Sequence, residues 1–331
     1  MSILVTGGAG YIGSHTVRRL TALGHEVVVL DSMEYGHRNA VIEAELVQGN
    51  IADLDLVVDL CDRRDITQVV HFAAYKSVGE SMEQPSKYWL NNVTGTVKLV
   101  EAMLTAGVRD IVFSSSCSVY GNPSVVPVTE DEPIKPESVY AESKAITERV
   151  LYWYGVSHGL RSVSLRYFNA AGASADSRIG EDWRQSYNLI PLVMKATLGK
   201  RPPVQVFGMD YPTPDGTCIR DYIHVDDLAD AHVKALDYLG AGGTSTAVNV
   251  GTGHGSSVME VIAATERITG RAVPWEPAPR RHGDPVATYA DPSRAATLFD
   301  WHPAHGLDDI VASAWKWHST HVDGYDESPS P

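Results

Sequence analysis

The chain has 331 residues, of which 44% are hydrophobic and 21% charged, and its formal net charge is −14. This is an ordinary globular composition, and the length suffices for one large domain or for two that share an interface. Proteins that bind nucleic acids or anionic membranes usually carry a basic face, which this acidic chain gives no sign of, so neither partner is expected.

The three cysteines, Cys61, Cys117 and Cys218, are scattered and show no Cys-x-x-Cys spacing. This pattern argues against a disulfide framework and against a zinc site, so we expect no metal and a cytoplasmic location. Residues 1–13 lack a basic region and a long apolar run, and no stretch approaches the roughly 18 apolar residues of a membrane span. Neither a signal peptide nor a membrane helix is predicted.

Apolar runs alternate with helical spacing through the first half of the chain. Strands are predicted at 2–6, 26–31, 68–72, 110–114 and 161–167. Helices are predicted at 14–23, 91–106 and 139–158. Nearly continuous apolar strands separated by helices are typical of a parallel sheet that is covered on both faces. The predicted fold class is therefore α/β, a Rossmann-type doubly wound parallel sheet.

The character of the chain changes after about residue 169. Loops lengthen, and Pro and Gly cluster at 199–216 and 270–292, which predicts a smaller, irregular mixed α/β lobe. We expect a first domain at 1–169 and a second at 170–331, with a strand and helix at 219–240 returning to the first.

A glycine motif opens the first predicted helix. Gly8-x-Gly10-x-x-Gly13 follows the first strand, and Gly7 adds a further glycine to the turn. A tight turn of this kind lets the backbone approach a pyrophosphate and directs helix N–H groups at it. Asp31 ends the second strand, 18 residues after Gly13. A carboxylate there binds both ribose hydroxyls and repels a 2′-phosphate, which favours NAD over NADP.

Tyr140 and Lys144 are four residues apart and therefore share one face of the predicted helix. A nearby ammonium favours the phenolate and makes the tyrosine a better base at neutral pH. Ser116 follows the strand at 110–114, which places it at the carboxyl edge of a parallel sheet, where ligands bind. A hydroxyl there can hold a substrate oxygen while the phenolate takes its proton.

Seven segments resemble the extended short-chain dehydrogenase/reductase superfamily and, within it, the UDP-glucose 4-epimerases. They are TGGAGYIGSH (6–15), HFAAYKSVGES (71–81), FSSSCSVYG (113–121), YAESK (140–144), LRYFNAAGA (165–173), FGMDYPTPDGTCIRDYIHVDDLADAH (207–232) and PRRHGDP (279–285). The last three are the most specific for the epimerases. The resemblance covers nearly the whole chain and implies NAD-dependent C4 epimerisation of UDP-glucose and UDP-galactose.

The resemblance also implies residue roles, with an NAD-binding first domain and a UDP-sugar-binding second domain. Tyr140 would be the base and acid, Lys144 its electrostatic partner, and Ser116 the hydrogen-bond partner of the sugar O4. Cofactor contacts would come from Gly7, Gly10, Tyr11, Ile12, Gly13, Asp31, Asn50, Ile51, Phe72, Ala73, Ala74, Lys76, Asn91, Tyr140, Lys144 and Phe168. Substrate contacts would come from Lys76, Ser116, Tyr140, Asn169, Asn188, Leu189, Gln205, Val206, Phe207, Arg220, Arg281, Asp284 and Thr288.

Three positions depart from the pattern of the family. Asn50 stands where an Asp is usual near the adenine, and its amide can still form hydrogen bonds. Val139 replaces a frequent Pro before the tyrosine. Thr288 lies where many bacterial members have a large Tyr beside the sugar, and a smaller residue there leaves room for an N-acetyl group.

Other functions stay open at this point. A 4,6-dehydratase needs an acid/base carboxylate pair beside the serine, and Cys117 and Ser118 offer none. A UDP-pentose or UDP-N-acetylhexosamine 4-epimerase is harder to separate from the hexose enzyme. A non-catalytic NAD sensor would not need Tyr140, Lys144 and Ser116, yet all three are present. A homodimer is also expected, in which helices at 94–106 and 139–158 pair with their copies.

Overall fold

A computed structural model describes residues 2–281 and 283–325 of the chain. Its strands are β1 (Ser2–Thr6), β2 (Glu26–Asp31), β3 (Glu45–Gln48), β4 (Ile66–His71), β5 (Asp110–Ser114), β6 (Arg161–Tyr167), β7 (Asn169–Ala171), β8 (Val204–Phe207), β9 (Ile219–Arg220), β10 (Tyr222–His224), β11 (Thr246–Val250), β12 (Ser256–Ser257), β13 (Trp275–Ala278) and β14 (Ala287–Thr288). Its helices are α1 (Tyr11–Ala22), α2 (Leu54–Arg63), α3 (Val78–Glu83), α4 (Pro85–Tyr88), α5 (Gly95–Thr105), α6 (Val139–His158), α7 (Leu189–Thr197), α8 (Val225–Gly240), α9 (Val258–Thr269), α10 (Ser293–Phe299) and α11 (Leu307–Thr320). In these ranges no helix is long and apolar enough to cross a membrane.

The main sheet has seven parallel strands in the order β11-β6-β5-β4-β1-β2-β3. The order reverses at β1, because the chain first extends the sheet through β2 and β3 and then returns to the other side with β4. A crevice opens at the carboxyl ends of the two strands on either side of such a reversal, and ligands bind there. The predicted fold class, a Rossmann-type doubly wound sheet, is confirmed.

The sheet is covered on both faces because successive strand residues point to opposite sides. On one face, Val5 and Val29 pack with residues of α1 and α8. On the other face, Leu4 and Val28 pack with residues of α2, α5 and α6. Alternation between two apolar layers explains why the strands appear as continuous apolar runs in the sequence.

The second half of the chain forms a smaller lobe around its own core. That core joins α7, α9 and α11 to β8 and contains Val193, Val206, Val261 and Ile310. The expectation of an irregular lobe was therefore partly wrong, since three helices of nine or more residues form its frame. Long Pro- and Gly-rich loops hid their apolar periodicity.

Part of the second half of the chain packs on the first sheet. The helix α8 packs against α1. After it, β11 pairs with β6 and adds the seventh strand, outside the predicted range 219–240. The division of the chain at residue 169 stays a prediction.

Several element boundaries also differ from prediction. The helix α1 begins at Tyr11 rather than at residue 14, because the glycine turn leads directly into it. The predicted helix at 91–106 is a π-helical turn, Trp89–Thr94, followed by α5. The predicted helix at 139–158 has the observed bounds of α6.

Candidate active site

The glycine turn between β1 and α1 brings backbone segments closer than any side chain would allow. Gly7 has φ +72°, and a Cβ atom there would lie 2.6 Å from the amide nitrogen of Ala73. A Cβ on Gly8 would lie 2.8 Å from Cγ1 of Val29, and one on Gly13 would overlap the carbonyl oxygen of Gly7. Only glycine is compatible with this packing, which leaves the N-terminus of α1 open to an anionic group.

Asp31 ends β2 beside this turn. Its carboxylate accepts hydrogen bonds from the backbone N–H of Ala9 at 3.0 Å and of Met33 at 2.9 Å. Burial raises the pKa of Asp31, and these two hydrogen bonds oppose the shift. The carboxylate is thus fixed in position at the edge of the crevice.

A cavity of about 580 Å³ extends from the glycine turn to the first turn of α6. Its volume lies within the range of sites that bind small molecules. The predicted cofactor residues that line it are Gly7, Gly10, Tyr11, Ile12, Gly13, Asp31, Asn50, Ile51, Phe72, Ala73, Ala74, Lys76, Asn91, Tyr140 and Lys144. The structure therefore brings together fifteen of the sixteen residues predicted for this role, from six segments of the chain.

Phe168 is the exception. Its side chain is buried in a small cluster with Val119, Tyr120 and Val128, and it does not line the cavity. The residue before it, Tyr167, lines the cavity instead. Because β6 ends at Tyr167, the two neighbouring side chains point in different directions.

Local signals position α6 so that its first turn enters the cavity. The helix begins after Ser138, whose side chain accepts a hydrogen bond from the N–H of Ala141, and it ends at Gly159 in the left-handed conformation. Tyr140 and Lys144 lie on successive turns and both line the cavity. Nζ of Lys144 lies 5.9 Å from the centre of the Tyr140 ring.

Lys144 is buried and donates a hydrogen bond to the carbonyl oxygen of Ser114 at 2.7 Å. Burial lowers the pKa of Lys144 to about 7, and the charge of Glu148 opposes this shift. An ammonium group with a pKa near neutrality is typical of a functional site.

Ser116 and Tyr167 are neighbours that affect the pKa of Tyr140. Burial raises the pKa of Tyr140, the charge of a Tyr167 phenolate would raise it further, and a hydrogen bond with Ser116 lowers it. The hydroxyl of Ser116 accepts hydrogen bonds from the N–H of Ser118 at 3.2 Å and from its hydroxyl at 2.9 Å. The three predicted catalytic residues thus form one cluster.

The cavity has further lining residues that sequence reasoning missed. They include Ser32, Glu34, Tyr35, His37, Tyr75, Ser77, Glu80, Ser114, Tyr167, Glu181, Asp182, Arg184, Tyr187 and Tyr325. Ser114 and Tyr167 end predicted strands at the same sheet edge as Ser116, so the edge rule could have found them. Tyr325 and the segment at 181–187 carry no such local signal.

Most of the predicted substrate residues lie in the smaller lobe, outside this cavity. Arg220 pairs with Thr288 across β9 and β14, and its guanidinium lies 3.1 Å from the carboxylate of Asp284. Burial raises the pKa of Cys117, which is next to Ser116 in the chain, and the charge of Arg220 opposes this shift. Arg220, Asp284 and Thr288 therefore form one group, and Arg220 lies near the residue that follows Ser116.

A second group surrounds the end of β8. Gln205 and Phe207 share one face of the strand, and the guanidinium of Arg281 lies 3.9 Å from the centre of the Phe207 ring. The side chain of Val206 points to the other face, into the core of the lobe, so only its backbone is available for a ligand contact.

The remaining predicted substrate residues surround these groups. Asn188 immediately precedes α7, where its side-chain amide donates to Glu181 at 3.1 Å, and Leu189 is the first residue of that helix. Asn169 begins β7, and its N–H donates to the carbonyl oxygen of Asp221 at 2.9 Å. Lys76 approaches the smaller lobe, where its Nζ lies 3.6 Å from the Glu181 carboxylate.

Comparison with known proteins places the chain in a family. Residues 3–251 match the model of the NAD dependent epimerase/dehydratase family. A UDP-glucose 4-epimerase of Lacticaseibacillus casei is 45% identical over 98% of this chain and 99% of its own length.

Solved structures agree with this placement. The UDP-glucose 4-epimerase from Brucella ovis, in complex with NAD, is 46% identical with a TM-score of 0.93 over 95% of this chain and 97% of that one. The UDP-glucose 4-epimerase from Bifidobacterium longum, in complex with NAD+ and UDP, is 38% identical with a TM-score of 0.92 over 98% of this chain and 100% of that one. The chain belongs to the NAD dependent epimerase/dehydratase family and, within it, to the UDP-glucose 4-epimerases.

Proposed function

We propose that the chain catalyses reversible C4 epimerisation of UDP-glucose and UDP-galactose and keeps NAD bound throughout the cycle. The observation that carries this proposal is one cavity that contains the glycine turn, Asp31, Tyr140 and Lys144. A dinucleotide site and an acid/base pair in the same cavity are what a redox cycle without net oxidation requires. Family membership supports the same reaction.

The residues at the turn fit NAD. A Cβ on Gly7 would collide with the backbone of Ala73, and one on Gly13 with the backbone of Gly7, so the glycines keep the turn tight at the helix N-terminus that a pyrophosphate would approach. The Asp31 carboxylate would accept hydrogen bonds from the adenosine ribose, and Asn50 and Ile51 would flank the adenine. When bound, NAD supplies a reversible hydride acceptor for C4 of the hexose.

In this mechanism Tyr140 removes the proton from O4 of the sugar and later returns it. Lys144 holds a positive charge beside the phenol, which lowers the free energy of the phenolate. Ser116, which forms a hydrogen bond with Tyr140, would hold the sugar O4. The proton therefore moves along a short path between O4 and the phenolic oxygen.

The smaller lobe would hold the nucleotide part of the substrate. Arg220 and Arg281 supply guanidinium groups for the diphosphate, with Asn169, Asn188 and Leu189 beside them. Gln205 and Phe207, with the backbone of Val206, would flank the uracil, and Asp284 the uridine ribose. Anchoring through UDP leaves the hexose free to turn over, so both faces of C4 can meet the same acceptor.

The test uses purified protein with no added NAD, incubated with UDP-galactose and separately with UDP-N-acetylgalactosamine, with the C4 epimers separated by chromatography. Wild-type protein should convert UDP-galactose. Tyr140→Phe and Lys144→Met should reduce kcat by about 10²- to 10⁴-fold, the usual contribution of general acid–base catalysis. If protein that contains NAD converts neither sugar, the hexose reaction is ruled out, and a pentose substrate or a sensor is indicated instead.

A second substrate class is favoured by Thr288. This side chain is small and buried, and its hydroxyl has no hydrogen-bond partner in the described part of the chain. We propose that Thr288 leaves room for the N-acetyl group of a UDP-N-acetylhexosamine. Conversion of both sugars in the same assay would support a dual specificity.

We further propose a homodimer formed by α5 and α6. Their outer surface carries Tyr152, Trp153 and Val156, each more than half exposed. Beside Trp153, a shallow groove is lined by Val97 of α5 and by Ile146 and other residues of α6. An apolar patch of this kind marks an association surface. Light scattering should give twice the mass of one chain, and Trp153→Glu should shift the mass towards the monomer.

The cytoplasmic location also stays a proposal. It rests on the free thiols of Cys61, Cys117 and Cys218, since a reducing compartment keeps thiols in this state. Fractionation of cells that produce the protein would test it, and recovery outside the cytoplasm would contradict it.

A further inference from the structure

We propose that Glu148 is a positioning residue for the reaction. It keeps Lys144 charged, and it holds the loop at 114–116, whose residues contact Lys144 and Tyr140. The inference rests on the proposed function and extends it to a residue that does not line the cavity. Glu148 lies one turn beyond Lys144 on α6 and is mostly buried.

The first step of the argument is the connection of Glu148 to the loop. The hydroxyl of Ser115 donates to the Glu148 carboxylate at 2.5 Å. On one side of Ser115, the carbonyl oxygen of Ser114 accepts the hydrogen bond from Lys144, and on the other side Ser116 is a neighbour of Tyr140 that lowers its pKa. One carboxylate therefore fixes the backbone between the two contacts on which the acid/base pair depends.

The second step is electrostatic. Lys144 is only 3% exposed, and in the described residues its ammonium has no carboxylate within ion-pair distance. The axial rise of a helix places Glu148 about 6 Å beyond Lys144 and about 12 Å beyond Tyr140. The negative charge therefore acts mainly on the ammonium, and it opposes the fall in the pKa of Lys144 that burial causes.

The third step is the cost of burying the carboxylate. Arg166 on β6 donates to it through Nε at 3.0 Å and through Nη2 at 2.5 Å. Nη1 of Arg166 donates a hydrogen bond to the hydroxyl of Tyr120 at 2.9 Å. That hydroxyl donates in turn to the side-chain oxygen of Asn249 at 2.7 Å. Buried ion pairs often contribute little net stability compared with apolar residues. A pair in this position is therefore better explained by its effect on the adjacent site.

Other titratable groups also surround the acid/base pair. They are His71 on β4, Tyr88 on α4, Cys117 after β5, and Tyr167 at the end of β6. None of them is an anion at neutral pH, because burial lowers the pKa of His71 to about 3 and raises that of Cys117 and Tyr167 to about 12 and that of Tyr88 still higher. Glu148, which is not one of these four groups, is thus the anion that can stabilise the ammonium of Lys144.

The test compares Glu148→Gln with a matched control, Asp110→Asn. The glutamine keeps an oxygen that can accept from Ser115 but removes the charge. Asp110 is also a buried carboxylate with an arginine partner, Arg161 at 2.7 Å, but it lies at the amino end of β5, away from the cavity. Both variants lose one buried ion pair, so a general loss of stability would appear in both.

The first readout needs no sugar nucleotide. In NAD-containing protein with ¹³Cε-labelled lysine, the Lys144 resonance is assigned from Lys144→Met and titrated by NMR. Glu148→Gln should lower the pKa of Lys144 by about one unit or more, the usual effect of an opposite charge at this distance. Asp110→Asn should leave it unchanged. If the Lys144 pKa is the same in all three proteins, the proposal is wrong.

The second readout is the pH dependence of kcat for UDP-galactose. Because the reaction needs the ammonium, activity falls as the pH rises through the pKa of Lys144. This alkaline limb should therefore move to lower pH in Glu148→Gln and stay in place in Asp110→Asn. A wild-type protein that shows the expected NMR titration but converts no sugar would contradict the proposed function without contradicting the role of Glu148.

If Glu148→Gln does not fold, the double variant Glu148→Met/Arg166→Met replaces the whole pair with apolar side chains. Such replacements are often neutral for stability. Because this variant also removes the Arg166 cation, the pKa of Lys144 should fall less than in Glu148→Gln. A pKa equal to or above that of the wild type would overturn the proposal.

Discussion

The imidazole of His37 lies 2.9 Å from the carboxylate of Asp182, although the two residues are far apart in the chain. His37 belongs to the loop after β2, and Asp182 to the segment before α7. The ring of Tyr325 stacks on His37 with the two centres 4.6 Å apart. All three residues line the cavity, and their contacts form a bridge between the loop after β2 and the segment before α7.

We expect this bridge to slow the release of the cofactor. His37→Phe keeps the ring that stacks on Tyr325 and removes the hydrogen bond with the Asp182 carboxylate. Loss of a charged hydrogen bond costs about 1.5–3 kcal/mol, so NAD should dissociate about tenfold faster or more. The measurement is the ratio of NAD to protein after timed gel filtration. Asp182→Asn should also lose NAD faster. If both variants retain as much NAD as the wild type, the expectation is contradicted.

Asp31 should select NAD against NADP. Asp31→Asn removes the charge that would repel a 2′-phosphate and weakens the hydrogen bonds to the ribose. The affinity for NAD should fall about 10- to 100-fold, while binding of NADP should improve relative to NAD. Calorimetry on cofactor-depleted protein measures both constants. Glu34→Gln is the matched control in the same cavity. An unchanged ratio of the two affinities in Asp31→Asn would show that another group makes the selection.

Thr288 should decide how well the chain accepts an N-acetylated sugar. A larger side chain in this buried position narrows the space beside Arg220, and overpacking typically costs about 1–3 kcal/mol. Thr288→Tyr should therefore reduce kcat/KM for UDP-N-acetylgalactosamine about tenfold more than for UDP-galactose. Thr288→Val keeps the volume and serves as control. Equal losses for the two substrates in Thr288→Tyr would place the N-acetyl group elsewhere.

His71 should make the protein sensitive to acid. Its Nδ1 lies 2.7 Å from the hydroxyl of Thr6 and its Nε2 lies 2.8 Å from that of Thr96. Thr96 already donates its proton to Asn92, so Nε2 carries the proton of a neutral ring and Nδ1 accepts from Thr6. Burial, and then the charge of Lys144, lower the pKa of His71 from 6.5 to about 3.

The sign of the effect follows from this lowered pKa. Between pH 6.5 and about 3 the unfolded chain binds a proton at His71 that the folded protein does not, so acid favours unfolding. His71→Gln should flatten the slope of the free energy of unfolding by about 1.4 kcal/mol per pH unit in this window. Urea denaturation at several pH values measures the slope. His254→Gln, at an exposed position, should leave it unchanged.

Local patterns were sufficient for much of the fold. The glycine turn, the apolar strands and the bounds of α6 could be predicted because each depends on residues close together in the chain. The strands β3 and β11 were missed, since four or five residues of mixed character show no clear period. The helices of the smaller lobe were missed because proline and glycine separate them.

The candidate site divides in the same way. Tyr140 and Lys144 share a helix face through their spacing alone, and the glycine turn needs its glycines whatever the rest of the chain does. The sequence by itself therefore determined the type of site, its cofactor class and the pair of residues most concerned with proton transfer. These features follow from backbone geometry over a few residues.

Only the tertiary structure decided which distant residues complete that site. Tyr325 stacks on His37, Asp182 contacts the same imidazole, and Arg166 pairs with Glu148 behind the catalytic loop. The partners come from different elements, and their meeting depends on how α6 packs on β6 and how the smaller lobe packs against the sheet. No local period encodes such contacts, because the free energy that makes them comes from burying both lobes around shared cores.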